Sequence, residues 1–406
     1  MIWLVAWRNV WRNKLRSLVV ILAVVMGMFG GTFTMGLMDG AMKSRVEEAI
    51  NNESSHIQVH TPEFMENKEL VFTIDETNDV INFLEKMPEV EASSDRFKIF
   101  TSLRTAHGNT GVAIVSVDPD KESSLTAISK KLIEGEYFND KKKEQIIISK
   151  KTADKLQVRI GSKIAVDFVK LDSVPTASSF KVVGIFKTSN SMFDEMTAFI
   201  RNKDMINIVG FPENKSHEIA VRLKNNDDLN LVQQKISDQF PDLDIKTWIE
   251  LQPEIGMLVE MGGFMLFVIM LIILLALSFG IINTMLMAIM ERTKELGMLM
   301  AVGMSRGRIF RMIMLETIFL SLTGALIGMF VGGIFIEYLG KYGLDLSQYA
   351  EGFEQIGYSS IIYPSLSLAK YFFVLIMVIA IAMFSSLYPA RKALKLKPVE
   401  ALKTDN

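Results

Sequence analysis

The chain has 406 residues, 49% of them hydrophobic and 22% charged, with a formal charge of −2 at pH 7. That mixture points to a membrane part joined to one or two soluble modules. The zero cysteine count excludes disulfides, thiolate metal sites and a cysteine nucleophile.

Residues 1–16 carry Arg8, Arg12, Lys14 and Arg16 with no acid. Trp3, Trp7 and Trp11 fall within about 80° of a helical wheel, beside the arginines, which predicts an interfacial helix along the inner leaflet. Residues 17–38, between Arg16 and Asp39, form the first of four uncharged apolar runs; 261–290, 317–336 and 371–390 are the others. Each meets the ~20 residues that cross a hydrocarbon core, so four transmembrane helices are expected. The first run is 22 residues long with no Ala-x-Ala site after it, so it reads as an uncleaved span and not a signal peptide. The second, at 30 residues, would measure about 45 Å as a helix and project beyond a bilayer of ~30 Å as one stiff rod.

Residues 39–260 form a hydrophilic insert between the first two spans, with 28 Lys/Arg against 37 Asp/Glu. A net −9 there excludes nucleic acid as a partner class. Short β-branched stretches predict strands at His56–His60, Val112–Val117, Gln145–Ile148, Lys163–Phe168, Phe180–Phe186, Ala198–Ile200 and His217–Leu223. Capping or acidic residues open predicted helices at Glu76–Lys86, Ser149–Leu156 and Asp227–Phe240. The expected fold is a large α+β domain of two lobes, one mainly β from about Arg96 to Thr188, the other built from about 48–95 and 189–250.

No catalytic constellation emerges. His56 and His60 lie on one strand about 13 Å apart, too far to share a metal. His107 sits in a turn signal, His217 starts a strand, and the Lys141–Lys143 run reads as a solvated loop. Neither a Gly-x-Ser-x-Gly elbow nor a His-Glu-x-x-His helix is present.

The loop 291–316 reads ERTKELGMLMAVGMSRGRIFRMIMLE. Its apolar patch Leu296–Val302, between charges, predicts a short amphipathic helix on the inner membrane surface that offers a face to a cytoplasmic partner. Five basic residues in this loop agree with the basic lead-in and with Arg391, Lys392, Lys395, Lys397 and Lys403 of the tail 391–406. All three segments are therefore expected to be cytoplasmic, and 39–260 and the loop 337–370 extracytoplasmic. The spans hold no charge, unlike those of ion-coupled carriers. They carry packing signals instead: Gly27 and Gly31 in the first, and the ladder Gly324, Gly328 and Gly332 in the third, predict a helix–helix or dimer interface.

These motifs resemble the MacB/Lol/FtsX class of permeases, the type VII ABC transporters. The stretch from Asn283-Thr284 through MERTKELGMLMAVG to Glu316 is similar to that family's second span, coupling helix and third span; YPARKALKLKPVEALK (388–403) resembles its closing motif. In the insert, SHIQVHTPEF (55–64), LIEGEYF (132–138), SKKTADKLQVRIGSKI (149–164), FKVVGIFKT (180–188) and TWIELQPEI (247–255) are similar to the periplasmic core of the Lol permeases. The resemblance implies an inner-membrane subunit with both termini cytoplasmic. It would pair with a second permease, as homo- or heterodimer, and bind two copies of a cytoplasmic ABC ATPase. It would drive work outside the membrane and open no channel between its spans.

No Gly-x-x-x-x-Gly-Lys-[Ser/Thr] occurs, so ATP and Mg are expected to be used by the partner ATPase, with no cofactor bound by this chain. MacB-type permeases usually carry the ATPase fused at the amino end, so its absence here favours a Lol-type or stand-alone member; the Lol reading implies a lipoprotein substrate, with a periplasmic carrier and membrane lipid as partners. The expected ATPase contact is Glu291, Arg292, Glu295, Leu296, Gly297 and Met300. Only Val169–Ser179 separate two strands where the carrier-recruiting Lol permease has a longer hairpin loop. MacB-like export with an adaptor and an outer-membrane channel, and FtsX-like activation of a hydrolase, stand as alternatives.

Overall fold

Apolar runs bounded by charges become helices that overshoot those bounds, because the flanking residues are also good helix formers. The computed structural model describes residues 2–12, 14–139, 142–212 and 214–394. Lys141 and the tail cations Lys395, Lys397 and Lys403 lie outside the described residues. Helix α1 (Ile2–Arg12) precedes α2 (Lys14–Glu48), whose end widens into a π-helical turn over Ala49–Ser54. Then come β1 (Ile57–His60), α3 (Pro62–Asn67), α4 (Thr77–Glu85), β2 (Val90–Thr105) and β3 (Gly108–Val117). Next are α5 (Pro119–Leu125), β4 (Leu132–Gly135), β5 (Gln145–Ser149), α6 (Lys150–Leu156), β6 (Lys163–Val169) and β7 (Pro175–Phe186). The series α7 (Ser191–Met196), β8 (Thr197–Arg201), α8 (Asn202–Val209), β9 (Glu218–Leu223), α9 (Leu229–Gln239), β10 (Asp244–Thr247) and α10 (Trp248–Leu251) follows. Helix α11 (Pro253–Glu291) leads to the short α12 (Thr293–Ala301) and to α13 (Arg306–Tyr342). The pair β11 (Leu344–Asp345) and β12 (Ile361–Ile362) brackets α14 (Ala350–Gln355), and α15 (Leu368–Leu394) ends the described chain.

The chain divides into a helical unit, comprising residues up to Met42, Glu260–Asp345 and those from Ile361 on, and a sheet unit of Lys43–Val259 with Leu346–Ser360. Segment 337–370 is therefore not one loop: Glu337–Tyr342 extend α13, and 346–360 fold with the sheet unit, where Glu354 pairs with Lys187 at 2.8 Å.

In the sheet unit, β2 is shared by two lobes. Its first half pairs with β9 through Arg96, and β9, β1 and β10 continue that antiparallel layer. Its second half, from Phe97, pairs with β3; the neighbours β8, β5, β7 and β6 then lead back to β2 at Leu103 and Arg104, closing a small barrel. Phe97, Leu103, Ile114, Ile146, Val166 and Phe180 fill the barrel, while Ile57, Leu84, Val221, Ile236 and Trp248 fill the other lobe. The β lobe expected to end near Thr188 runs on to Phe211. Strand β8 inserts between β3 and β5, and Met205, Val209 and Phe211 join the barrel core.

Local chemistry sets the helix starts. Asp118 accepts from the amides of Asp120 and Lys121, Ser149 from Thr152, and Thr247 forms a capping box with Glu250. The segment 169–179 is mostly strand: β6 and β7 pair as far as Val169 and Pro175, leaving a turn of Lys170–Val174. The histidines 56, 60 and 217 are buried. His56 Nδ1 accepts from the Leu223 amide, the His60 ring bonds the His217 carbonyl, and His217 stacks on Phe64 at 4.6 Å.

Candidate functional site

In the helical unit, α11 ends at Glu291, and Arg292, with φ −100° and ψ 17°, turns the chain into α12. Gly303 ends that helix. Its φ of +97° lets the amide of Met304 reach the Leu299 carbonyl (2.9 Å) and its own amide reach Met300 (3.1 Å), a Schellman turn. The nine-residue helix has two faces. Leu296 and Gly297 are buried against the chain's own apolar core, with Leu299 and Met300 half-buried beside them. Lys294, Glu295, Met298 and Val302 face outward, Val302 at 84% exposure.

Charge stitches α12 to its neighbours. Glu316 of α13, 6% exposed, accepts from Arg292 Nη1 at 3.1 and 3.3 Å and from Asn9 Nδ2 of α1. Glu295 accepts from Arg12 Nη2 at 2.6 Å and from Arg292 Nε at 3.2 Å, and the Arg12 hydrogen bond holds its carboxyl below the usual range. Ala6 and Val10 bury one side of α1, and Trp3 and Trp7 set their edges against Phe319 of α13 at 5.7 and 5.5 Å. These groups surround a cleft of about 310 Å³ lined by Asn9, Arg12, Thr284, Glu291, Arg292 and Glu295. A buried carboxylate held by a guanidinium and an amide is a joint that resists displacement, because separating it strands a charge.

The six residues expected to touch an ATPase are thus brought together but do not share a face. Glu291 and Glu295 are exposed, Arg292 is committed to two carboxylates, Met300 is half-buried, and Leu296 and Gly297 point inward. Asn9 and Arg12 were legible only as part of a basic lead-in; nothing local shows that they reach Glu316 and Glu295.

The glycines pack helices of this chain against each other. A Cβ at Gly27 would lie 2.6 Å from Leu277, and one at Gly31 3.0 Å from Met270, so this pair seats α2 on α11. Gly324, Gly328 and Gly332 seat α13 on α2, against Val24, the Val25 carbonyl with Met28, and Thr32. Of the two expectations for these glycines, a helix–helix or a dimer interface, the contacts match helix–helix packing within the chain, since the same chain fills the space over each of them.

Among the described residues, four helices are long and apolar enough to cross a membrane, and with the mixed α/β sheet unit they make the class that of a multi-span membrane protein with a large sheet-bearing unit. Residues 17–239 match the MacB-like periplasmic core domain family and residues 267–398 match the FtsX-like permease C-terminal family. The chain belongs to this family of ABC transporter permeases, of the MacB, FtsX and LolC type.

It is 28% identical over 279 residues to an uncharacterized ABC transporter permease of Methanocaldococcus jannaschii, covering 66% of this chain and 65% of that one. It is 26% identical over 227 residues to the macrolide export ATP-binding/permease protein MacB of Escherichia coli, covering 53% of this chain and 34% of that one. The lipoprotein-releasing system transmembrane protein LolC of Neisseria meningitidis is 22% identical over 343 residues, 80% of each chain. The chain therefore spans less than two thirds of the length of the first two relatives.

Proposed function

We propose that this chain is the membrane subunit of an inner-membrane ABC transporter. It takes ATP-driven movement from a separate cytoplasmic ATPase at α12 and passes it to a sheet unit on the periplasmic side, to release lipoproteins from the membrane. The observation that carries this reading is the two-faced α12. Its inner face is anchored by Leu296, Gly297 and the Glu316–Arg292 pair, so force on its outer face reaches α1 and α13. Glu291, Lys294, Glu295, Met298 and Val302 form that outer face, which revises the expected contact toward Met298 and Val302. The basic residues flanking the spans support cytoplasmic termini. ATP and Mg belong to the ATPase, two copies of which would serve a pair of permeases.

Lipoprotein release is supported by the LolC likeness, which runs through 80% of both chains. Export of periplasmic molecules through an adaptor and outer-membrane channel is the second reading, supported by the MacB likeness. The test is depletion of the chain in its host, followed by separation of the membranes. Lipoproteins retained in the inner membrane are expected; their normal sorting together with lost efflux would replace release by export. For coupling, Met298→Glu with Val302→Glu is expected to abolish permease-stimulated ATP hydrolysis while insertion is kept. Undiminished stimulation would overturn the contact.

A further inference from the structure

Helix α2 ends in Asn51, Asn52, Ser54 and Ser55, residue types whose side chains compete with the helical ladder for backbone groups. Over Ala49–Ser54 the helix widens into its π-helical turn. Ser54 Oγ donates to the Ala49 carbonyl at 3.3 Å and the Ser55 amide to that of Ile50 at 3.1 Å, each five residues back. Ser55 then stands at φ 60° and ψ −172°, a conformation that essentially only glycine adopts without strain. It is 1% exposed, and its Oγ, like Asn52 Oδ1 and Gln252 Oε1, is buried without a hydrogen-bond partner among the described residues. A left-handed serine and three stranded polar atoms all cost free energy. They gather at the C-terminal end of α2 and at Gln252, the residue just before α11.

One carboxylate holds this joint. Glu53 Oε1 accepts from Arg45 Nη1 of α2 at 2.9 Å and from Asn190 Nδ2, the cap of α7, at 3.0 Å; Oε2 accepts from Gln252 Nε2 at 2.9 Å. The Arg45 and Glu53 side chains are 10% and 9% exposed, so parting them strands two charges. The three donors come from three separate segments, and α10 packs on the π-helical turn beside them. Strain thus pushes the joint apart while a single group keeps it shut, the arrangement of a bistable element.

We propose that this joint is a two-state clasp. Closed, as in the structure, Glu53 keeps the π-helical turn wound and Ser55 left-handed. Open, Glu53 parts from Arg45 and Gln252, residues 49–54 rewind with α-helical spacing, and Ser55 leaves the left-handed region. The strain lowers the cost of opening, so a pull along α2 shifts the balance between the two states. The inference rests on the proposed function only for the source of that pull, the ATP-driven movement of the helices.

The chain has no cysteine, so Glu47→Cys on α2 and Ser237→Cys on α9, both at exposed positions, take spin labels without competition. The distance between the labels is read by double electron–electron resonance on the purified full chain in detergent, without ATPase. Glu53→Gln is expected to raise the ratio of a second, discrete distance to the closed one at least tenfold. Adding Ser55→Gly, which removes both the left-handed penalty and the stranded hydroxyl, is expected to bring that ratio back down at least fivefold. Arg45→Met, which removes one donor of the three, replaces Glu53→Gln should that variant fail to fold. One distance in every variant, or one that only broadens, overturns the proposal. With a hydrolysis-deficient ATPase bound and loaded with ATP, the same second distance is expected to grow at least tenfold in the chain with native Glu53. If the variants behave as expected but the bound ATPase leaves the ratio unchanged, the clasp stands and the coupling reading falls. If the ATPase produces a second distance that Ser55→Gly does not diminish, coupling stands and the clasp falls.

Discussion

In the helical unit, Thr32, Thr317 and Thr323 each donate their hydroxyl to a carbonyl four residues back, and Ser385 does the same. Charges are confined to the ends of the apolar runs: Asp39 with Lys370 at one end, and the Arg12, Arg292, Glu295 and Glu316 cluster at the other. In the sheet unit, by contrast, Arg96 lies fully inside, between Glu122 of α5 at 2.6 Å and Glu218 of β9 at 2.8 Å. Burial alone works against its charge, but the two carboxylates hold the guanidinium above its ordinary value. The difference teaches where each unit gets its specificity. The helices rely on close backbone approach at glycines and on self-satisfied hydroxyls. The sheet lobes rely on a buried ionic joint made from three separate elements.

The comparison breaks most readily at that joint. Arg96→Met leaves two buried carboxylates uncompensated and is expected to cost about 3–5 kcal/mol, read as a lowered denaturant midpoint for the sheet unit. A midpoint within error of the native one would show that the joint is dispensable. In the helical unit, Gly328→Leu places a Cβ 2.6 Å from the Val25 carbonyl, so overpacking of about 1–3 kcal/mol is expected as a lower melting temperature in detergent. If melting is unchanged while pairing of two permeases is lost, that face belongs to a dimer and not to the α2–α13 contact.

Acid sharpens the contrast, since the titrating histidines lie in the sheet unit. Burial, then Arg222, lowers the pKa of His56 to about 4. The unfolded ring takes a proton below ~6.5 while the folded one stays neutral, so the stability is complete above that pH and falls, by at most about 1.4 kcal/mol per unit, down to the folded pKa. Asp194, pushed up to about 6 by burial, works in the opposite sense between ~3.8 and that value. The His56→Gln variant isolates the histidine, and it is expected to show a shallower loss of stability from pH 6.5 to 4 than the native chain. Identical pH profiles would remove His56 from the account. The smallest effect belongs to the exposed Arg12–Glu295 pair, where Arg12→Ala is expected to change stability by only ~0.2–1 kcal/mol. A larger loss would mean that α1 is held on the helical unit by charge more than by Ala6, Val10 and the tryptophans.

The strand cores were legible wherever β-branched residues run together, as in Val112–Val117 and Lys163–Phe168. Strand β2 was not, because VEASSDRFKIFTSLRT mixes charges and small residues; it is a strand through its two partners, β9 and β3. The lobe boundary was misplaced for the same reason, since β8 belongs to the barrel by pairing alone. In α12, apolar residues occupy consecutive positions from Leu296 to Met300 except at Gly297, so periodicity does not say which side faces inward. The glycine ladder announced close packing, but its partner helix lies about 300 residues away in the chain, beyond any local signal.

By itself, the sequence determined four long apolar helices, the hydrophilic stretch rich in strands, the short helix at 293–301 and the Ser149 cap. Run length, hydrophobic pattern and capping chemistry act within a few residues and need no distant partner. Only the tertiary structure decided that Glu316 meets Asn9 and Arg292, that Arg96 is held between Glu122 and Glu218, and that Asn52 and Gln252 each bury a carbonyl oxygen without a partner. Such contacts depend on how the elements pack, and the energy of a buried charge or an orphaned acceptor is set by what packing brings within about 3 Å of it.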